Sequence, residues 1–139
     1  MKQSKTITFI KPDAFKNHEK IFDIIHNSGF KIIKATEIIR MNRKESEEFC
    51  RYFYQQHADK PFFGEIVDYI ASGPIIAALL EKDNAIEDFR TLIGDTDPQI
   101  AAEGTIRKTY GTNKANNAIH GSDSKEGYLR EKPIFFPEE

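Results

Sequence analysis

The stretch PIIAALLE, residues 74–81, contains the longest apolar run of the chain. A continuous apolar run is typical of a strand that is buried on both faces, so it predicts a central strand. A helix is predicted before it, beginning at Lys60-Pro61 and ending at Ser72-Gly73, with proline at the first helical position. A short helix capped by Asp83 or Asn84 is predicted after it. The apolar positions of these two helices are Phe62, Phe63, Ile66, Val67, Ile70, Ile86, Phe89 and Ile93.

Toward the N-terminus, the pattern predicts two further strands and two further helices. The first strand is expected at 6–10, where Thr alternates with Ile and Phe. Apolar residues at helical spacing predict a helix at 18–28, and a stretch rich in β-branched residues predicts a second strand at 30–39. A second helix is expected at 42–56, because its first residue, Asn, is followed three residues later by Glu, as in a capping box.

Residues 94–117 show no sustained period of 2 or 3.6 and are predicted to form a long loop. Loops of this length are usually functional or disordered. Arg90, just before the loop, and Arg107, within it, favour a functional loop. Residues 118–119 predict a short strand leading into His120, and the final helix is expected to end before Pro133. Without the inserted helix pair the order is βαββαβ. The predicted fold is therefore a ferredoxin-like α/β (α+β) sandwich with a four-stranded antiparallel sheet.

Composition narrows the classes of protein to which the chain can belong. With 139 residues, 39% of them hydrophobic and 30% charged, residues 1–139 are expected to form a single globular domain. The net charge of −2 gives no field that would recruit nucleic acid or an anionic membrane. The apolar run is shorter than the roughly 18 residues that a membrane span needs, and we expect no secretory segment. The single cysteine, Cys50, predicts a reducing, cytoplasmic compartment.

His120 is the histidine with the strongest case for chemistry. It follows the short strand and precedes the small residues 121–124, which permit a ligand to approach the backbone closely. A histidine at a strand end can present one ring nitrogen to a ligand while a neighbour fixes the other. His18, His26 and His57 fit surface positions. From these residues alone, a catalytic and a structural role for His120 both stay open.

Three cationic residues and a pair of aromatic residues are candidates for binding an anionic ligand. Lys11 follows the first strand and suits a phosphate as a point charge. Arg90 and Arg107 suit planar, bidentate phosphate recognition. The alternatives are an exposed lysine and two surface ion pairs. Of Phe62 and Phe63, one is expected to face the core, which leaves the other free to stack on a base.

The sequence NAIHGSDS at 117–124 closely resembles the active-site signature of nucleoside diphosphate kinases. An eight-residue string around one histidine is far rarer by chance than a lone glycine motif. Other segments resemble the same family, in the same order, and extend the resemblance over nearly the whole chain. These are residues 10–13, 61–63, 72–74, 90–98 and 104–107.

The resemblance implies an enzyme that transfers the γ-phosphoryl group of nucleoside triphosphates, mainly ATP, to nucleoside or deoxynucleoside diphosphates. It implies a ping-pong mechanism through a phosphohistidine on the pros nitrogen of His120. Glu131 would accept a hydrogen bond from the other ring nitrogen, with Ser122 holding that carboxylate. Tyr54 would lie beside His120 and orient it.

The resemblance also implies how the nucleotide is held. Lys11 and Asn117 would bind the sugar 3′-hydroxyl, with Lys11 also contacting the transferring phosphate, and Phe62 would stack on the base. The residues implied to hold the β- and γ-phosphates, in and beside the long nucleotide-binding loop, are Arg90, Thr96 and Arg107. Lys114 stands where the family often has an apolar residue over the base, and its aliphatic stem can serve the same purpose.

Mg²⁺ is implied as a cofactor carried in by the nucleotide, with no direct protein ligand and with Asp123 contacting it through water at most. The implied assembly is a homo-oligomer, either a hexamer or a tetramer, both built from a common dimer. Residues 14–20 lack the glycine-containing turn usual in the family and are about two residues short, which affects any subunit contact made there.

Two other interpretations compete with catalysis. A non-catalytic nucleotide- or nucleic-acid-binding ferredoxin-like module would be supported by a basic stripe interleaved with aromatic residues, and the sequence shows none. A structural protein that has lost activity would be supported by loss of His120, Lys11 or Asn117, and all three are present.

Overall fold

A computed structural model describes residues 3–114 and 116–138. The strands are β1 (Gln3–Ile10), β2 (Lys31–Ala35), β3 (Ile76–Asp83) and β4 (Ile119–Gly121). The helices are α1 (His18–Asn27), α2 (Arg43–Phe53), α3 (Phe63–Ala71), α4 (Ala85–Ile93), α5 (Ile106–Tyr110) and α6 (Lys125–Phe135). Short 3-10 segments at Pro12–Asn17 and Gln55–His57 follow β1 and α2.

Within the described residues, the four strands form one sheet in the order β2-β3-β1-β4, and every neighbouring pair is antiparallel. This confirms the predicted ferredoxin-like fold with an inserted helix pair, α2 and α3. β3 lies in the interior of the sheet, as the apolar run predicts. It begins at Ile76 rather than at residue 74, since Pro74 has no N–H to donate and Ile75 forms only an isolated bridge with Ile39.

The alternation of side chains along β1 divides the core between the two faces of the sheet. Ile10 packs in a cluster with residues of α1 and α4. Phe9, which points to the opposite face, packs in a cluster with residues of α2 and α3. The inserted helix pair therefore covers the second face of the sheet. Because β1 lies between the two layers, Lys11, which directly follows it, lies at the edge of both.

Several predicted helix boundaries differ from the structure. The capping box of Asn42 and Glu45 is present, but α2 ends at Phe53 and a 3-10 turn replaces its last residues. Pro61 is not the first helical residue, because it lies in a turn and α3 begins at Phe63. Asn84 is at the N-cap of α4, yet its side chain caps no backbone group and contacts the carboxylates of the following turn instead.

The prediction that the last helix ends before Pro133 is wrong. α6 continues to Phe135, and the Phe136 N–H donates to the Lys132 carbonyl at 2.8 Å, so hydrogen bonding resumes after the proline. Phe135 and Phe136 pack against the sheet, and this burial offsets the one bond that the proline removes. The helix therefore presents Glu131 from a continuous turn.

The predicted loop at 94–117 contains α5, which carries Arg107. The Thr105 hydroxyl caps this helix by accepting from the Lys108 N–H at 3.3 Å. Five residues are too few to show a helical period, which is why the pattern did not indicate it. In the part of the chain that the structure describes, no helix is long and apolar enough to cross a membrane.

Candidate active site

Two phenylalanine rings pack against the His120 imidazole. β4 pairs with β1 so that His120 lies opposite Phe9. The Phe9 ring stacks on the imidazole with centroids 5.4 Å apart, and the Phe53 ring meets it edge to face at 4.7 Å. The His120 side chain is 16% exposed. The plane of the imidazole is therefore fixed by packing before any hydrogen bond is considered.

A hydrogen-bond chain fixes which ring nitrogen of His120 carries the hydrogen. Nε2 lies 3.0 Å from Oε1 of Glu131, and the Ser122 hydroxyl donates to the same oxygen at 2.7 Å. The Ser122 oxygen in turn accepts from the Ile7 N–H at 3.1 Å. A neutral imidazole that donates from Nε2 to a carboxylate keeps a lone pair on Nδ1. The arrangement thus leaves Nδ1 as the ring nitrogen whose lone pair is available.

Burial lowers the pKa of His120 below its usual value. The hydrogen bond and negative charge of Glu131 act in the opposite direction, and the positive charges of Lys11 and Arg107 lower the pKa further. The imidazole is consequently neutral at neutral pH, which is the state in which Nδ1 can attack an electrophile.

A cavity of about 210 Å³ opens at His120. Of the residues singled out from the sequence, seven line it together: Tyr54, Arg90, Thr96, Arg107, His120, Asp123 and Glu131. Arg130, which sequence reasoning missed, also lines this cavity, with Nη2 4.0 Å from Oε2 of Glu131. Three guanidinium groups around one histidine form a site suited to a phosphoryl group.

A larger cavity of about 1130 Å³ adjoins the first and shares Tyr54, His57 and Thr96 with it. It is lined by the remaining predicted substrate-binding residues: Lys11, Phe62 and Asn117. Lys114, the residue expected over the base, lines it as well. Its size and its junction with the histidine cavity fit a nucleotide whose phosphates reach toward His120.

Lys11 is buried, so the alternative of an exposed lysine is wrong. Its Nζ donates to Oδ1 of Asn117 at 2.7 Å, and its backbone N–H donates to the Ala118 carbonyl at 2.8 Å. The Asn117 amide nitrogen donates to the Thr96 carbonyl at 2.9 Å and to the Lys114 carbonyl at 3.1 Å. Burial lowers the pKa of Lys11 to about 7, the charge of Arg107 lowers it too, and the charge of Asp13 opposes both.

The guanidinium of Arg107 is anchored by backbone carbonyls rather than by an acidic partner. Nη1 donates to Gly94 at 3.0 Å and Nη2 to Ile119 at 2.8 Å, so the loop and β4 together hold the group. Gly94 has a φ of +92°, and a Cβ there would lie 2.7 Å from the Thr105 side chain. The turn that supplies this carbonyl therefore requires glycine. Burial, followed by the charge of Arg90, lowers the pKa of Arg107 to about 10.

Of the two neighbouring phenylalanines, one is buried and the other is exposed, as expected. Phe63 is 7% exposed and belongs to the core, whereas Phe62 is 42% exposed and lines the larger cavity. His57 was expected to be an ordinary surface residue, but it lines both cavities, and its ring lies 5.4 Å from that of Phe62. Tyr54 lines both cavities too, but Phe53 is the neighbour whose ring contacts that of His120.

The residues that sequence reasoning missed around His120 are Phe9, Phe53, His57 and Arg130. The alternation of β1 shows which face Phe9 occupies, but only the pairing of β1 with β4 brings it to the histidine. Arg130 directly precedes Glu131, and this adjacency was the one signal available in the sequence. For a metal, the described residues contain no group of three or more His, Cys, Asp or Glu side chains able to hold an ion.

Comparison with known proteins agrees with this site. The family model for nucleoside diphosphate kinase matches residues 4–139. The chain is 46% identical to the nucleoside diphosphate kinase of Flavobacterium psychrophilum, over 98% of this chain and 96% of the relative. It is 41% identical to that of Pasteurella multocida, over 99% and 97%.

Solved structures of the same family share the fold. The Aquifex aeolicus nucleoside diphosphate kinase superposes with a TM-score of 0.88 at 37% identity, over 97% of this chain and 96% of that one. The halophilic nucleoside diphosphate kinase from Halobacterium salinarum, solved in complex with CDP, also gives 0.88, at 35% identity over 99% and 90%.

Fold, site and relatives together define a phosphotransferase that acts on nucleotides. The chain belongs to the nucleoside diphosphate kinase family. It is a kinase of nucleotide metabolism, and the rival interpretation as a non-catalytic binding module is not favoured.

Proposed function

We propose that the enzyme works by a ping-pong mechanism in which His120 carries the phosphoryl group between a nucleoside triphosphate, mainly ATP, and a nucleoside or deoxynucleoside diphosphate. The observation that supports this most directly is the 3.0 Å contact from His120 Nε2 to Glu131, which directs the Nδ1 lone pair to the reaction. In the first half-reaction, Nδ1 attacks the γ-phosphorus and the bond from that phosphorus to the β,γ-bridging oxygen breaks. The diphosphate leaves with the electron pair.

No proton has to leave His120 in this step, because its one ring hydrogen stays on Nε2. The positive charge that develops on the phosphorylated imidazole is stabilised by Glu131, whose oxygen the Ser122 hydroxyl holds at 2.7 Å. The second half-reaction is the reverse, with an oxygen of the acceptor diphosphate attacking the phosphoryl group and the electron pair returning to Nδ1.

Phosphoryl transfer depends on positioning and charge stabilisation more than on covalent machinery. Arg90, Arg107 and Thr96 are proposed to hold the β- and γ-phosphates in the smaller cavity. Lys11 and Asn117, joined at 2.7 Å, are proposed to bind the 3′-hydroxyl, with Lys11 also contacting the transferring phosphate. Phe62 is proposed to stack on the base, and Tyr54, between the cavities, to orient His120.

Mg²⁺ is proposed to enter with the nucleotide. The ion would supply positive charge to the phosphates of the bound nucleotide. The donor set fits this arrangement, since the exposed Asp123 lines the histidine cavity and can contact the ion through water, with no cage of acidic residues beside it in the described chain.

The assembly, compartment and domain organisation are also proposals. Family membership supports a homo-oligomer, either a hexamer or a tetramer, both built from a common dimer. Cys50 is free and buried, which supports a reducing, cytoplasmic compartment. The family match over residues 4–139 supports one domain spanning 1–139.

The test is to incubate the protein with γ-labelled ATP and Mg²⁺ in the absence of an acceptor. We expect acid-labile, alkali-stable label on the protein, released quantitatively when unlabelled GDP is added. His120→Ala should take up no label, whereas His26→Ala, which removes an exposed histidine on α1, should label normally. Label that persists in the His120 variant would rule out the proposed intermediate.

A further inference from the structure

Asp13 belongs to the motif that includes Lys11, yet the mechanism gives it no role. It lies two residues beyond Lys11, in the 3-10 segment Pro12–Asn17. Its Oδ1 accepts a hydrogen bond from the Tyr69 hydroxyl on α3. Its Oδ2 accepts from the Thr112 hydroxyl at 3.4 Å, in the loop after α5. One carboxylate therefore connects three separate parts of the chain.

The two elements tied to Asp13 provide opposite parts of the lining of the larger cavity. α3 and its N-cap contribute Phe62, Ile66 and Tyr69, and the loop after α5 contributes the stretch from 113 to 117, apart from residue 115. Lys11 lines the same cavity. The hydrogen bonds of Asp13 thus restrain the distance between the walls that would enclose a nucleotide.

Asp13 is also the acidic residue that acts electrostatically on the Lys11 ammonium. The charged groups that act on Lys11 are Arg107, which disfavours its protonated form, and Asp13, which favours it. His120 on β4 lies close enough for the Lys11 charge to disfavour its protonated form, and the remaining close partner, Asn117, is neutral. With Lys11 buried and Arg107 nearby, Asp13 is the acidic group that favours the protonated form of Lys11.

We propose that Asp13 is a positioning residue of the nucleotide cleft, which ties α3 and the Thr112 loop to the segment behind Lys11 and places a negative charge two residues from Lys11. The inference rests on the proposed role of Lys11 in substrate binding. The inference has two parts: the hydrogen bonds of Asp13 hold the walls of the cleft, and its negative charge acts on Lys11. Two nearly isosteric variants distinguish these parts.

Asp13→Asn removes the charge and retains an oxygen that can accept from Tyr69. The pKa of Lys11 is about 7, so its positive charge is lost as the pH rises through neutrality, and loss of the Asp13 charge lowers this pKa further. We expect the alkaline limb of single-turnover His120 phosphorylation to move to lower pH, with a fall of up to ~10-fold in rate at pH 8.

Tyr69→Phe removes one hydrogen bond and retains the charge. We expect the nucleotide concentration for half-maximal phosphorylation to rise by ~3–10-fold, as for loss of one typical hydrogen bond, with the alkaline limb unmoved. Asp13→Glu, which keeps the charge, should restore the limb. Asp23→Asn, the matched acid-to-amide change at an exposed site on α1, should alter neither quantity.

The Lys11 side chain is also titrated directly by NMR, which does not depend on phosphotransfer. Its pKa should fall in Asp13→Asn and stay unchanged in Tyr69→Phe. If both variants keep the wild-type Lys11 pKa and the wild-type half-saturation, and lose only thermal stability, Asp13 is a structural anchor and the inference is wrong. A wild-type protein that takes up no label on His120 overturns the proposed function instead, while the titration still decides the electrostatic part.

Discussion

The cavity at His120 and the cavity at Phe62 adjoin each other but are built in different ways. Around His120, the Glu131 carboxylate is 4% exposed, Ser122 is buried, and each makes a hydrogen bond that helps to orient the imidazole. Around Phe62, the aromatic ring is 42% exposed, and the polar neighbours Glu65, Asp68 and Lys114 are exposed as well.

This difference indicates which part of the reaction tolerates a change of side chain or of base. Phosphoryl transfer requires reacting atoms held in one geometry, and buried, fully hydrogen-bonded side chains provide that. Base binding in an open cavity involves mainly stacking, which any base can provide. We therefore expect substitution of the residues that orient the His120 imidazole to lower the rate at saturation, and substitution of the residues around Phe62 to alter the concentration dependence.

The largest effect on this comparison is expected from Glu131→Ala. Loss of the carboxylate frees the His120 ring hydrogen from Nε2 and removes the partner of the Ser122 hydroxyl. The saturated single-turnover rate of phosphorylation should fall on the order of 10–100-fold, with half-saturation nearly unchanged. Glu126→Ala, on the exposed face of the same helix, is the matched control.

Phe62→Ala should have the opposite signature. Stacking on an aromatic side chain contributes about 1–3 kcal/mol per base, and the half-exposed ring favours the lower end, so half-saturation should rise roughly 5–10-fold. The saturated rate should stay within about twofold of the wild type. A fall in the saturated rate alone would contradict the division between the two cavities.

Phe63→Ala is the control for that variant, since the two residues are adjacent and only one is buried. Phe63 belongs to the core cluster beneath α2 and α3. Its truncation should lower the free energy of unfolding by about 3–5 kcal/mol, measured by urea denaturation, and should leave the nucleotide dependence of the folded fraction close to that of the wild type.

The fold was predictable from the sequence because its signals are local. The apolar run at 74–81, the capping box at Asn42 and the alternation in β1 each specify an element from neighbouring residues. The end of α6 was not predictable in this way. Pro133 indicates a stop locally, whereas the packing of Phe135 and Phe136 against the sheet, a tertiary effect, stabilises the helix beyond it.

In the site, too, some residues are indicated by local sequence, whereas others depend on tertiary structure. The resemblance of 117–124 to a family signature indicated His120, Ser122 and Asn117, and the structure brings them to the two cavities and their supporting hydrogen bonds. The burial of Lys11 and the contacts of Phe9 and Phe53 with the imidazole depend on the register of β1 against β4. Strand register is set by the whole sheet, so no motif around a single residue could show these contacts.

The smallest effect is expected from the identity of the base itself. Discrimination of about 10⁴-fold or more requires buried polar groups that the wrong ligand leaves unpaired. The polar side chains near Phe62, among them Glu65, Asp68, Asn113 and Lys114, are exposed, so water can replace any hydrogen bond that a base fails to make. Purine and pyrimidine diphosphates, with ribose or deoxyribose, should therefore all discharge the labelled phosphoenzyme, with half-saturation values within about tenfold of one another. The measurement is the rate of label transfer from the protein to each diphosphate in turn. A preference of about a thousandfold for one base would mean that the larger cavity closes around a buried hydrogen-bonding group when nucleotide binds, and the contrast between a rigid and a tolerant cavity would no longer hold.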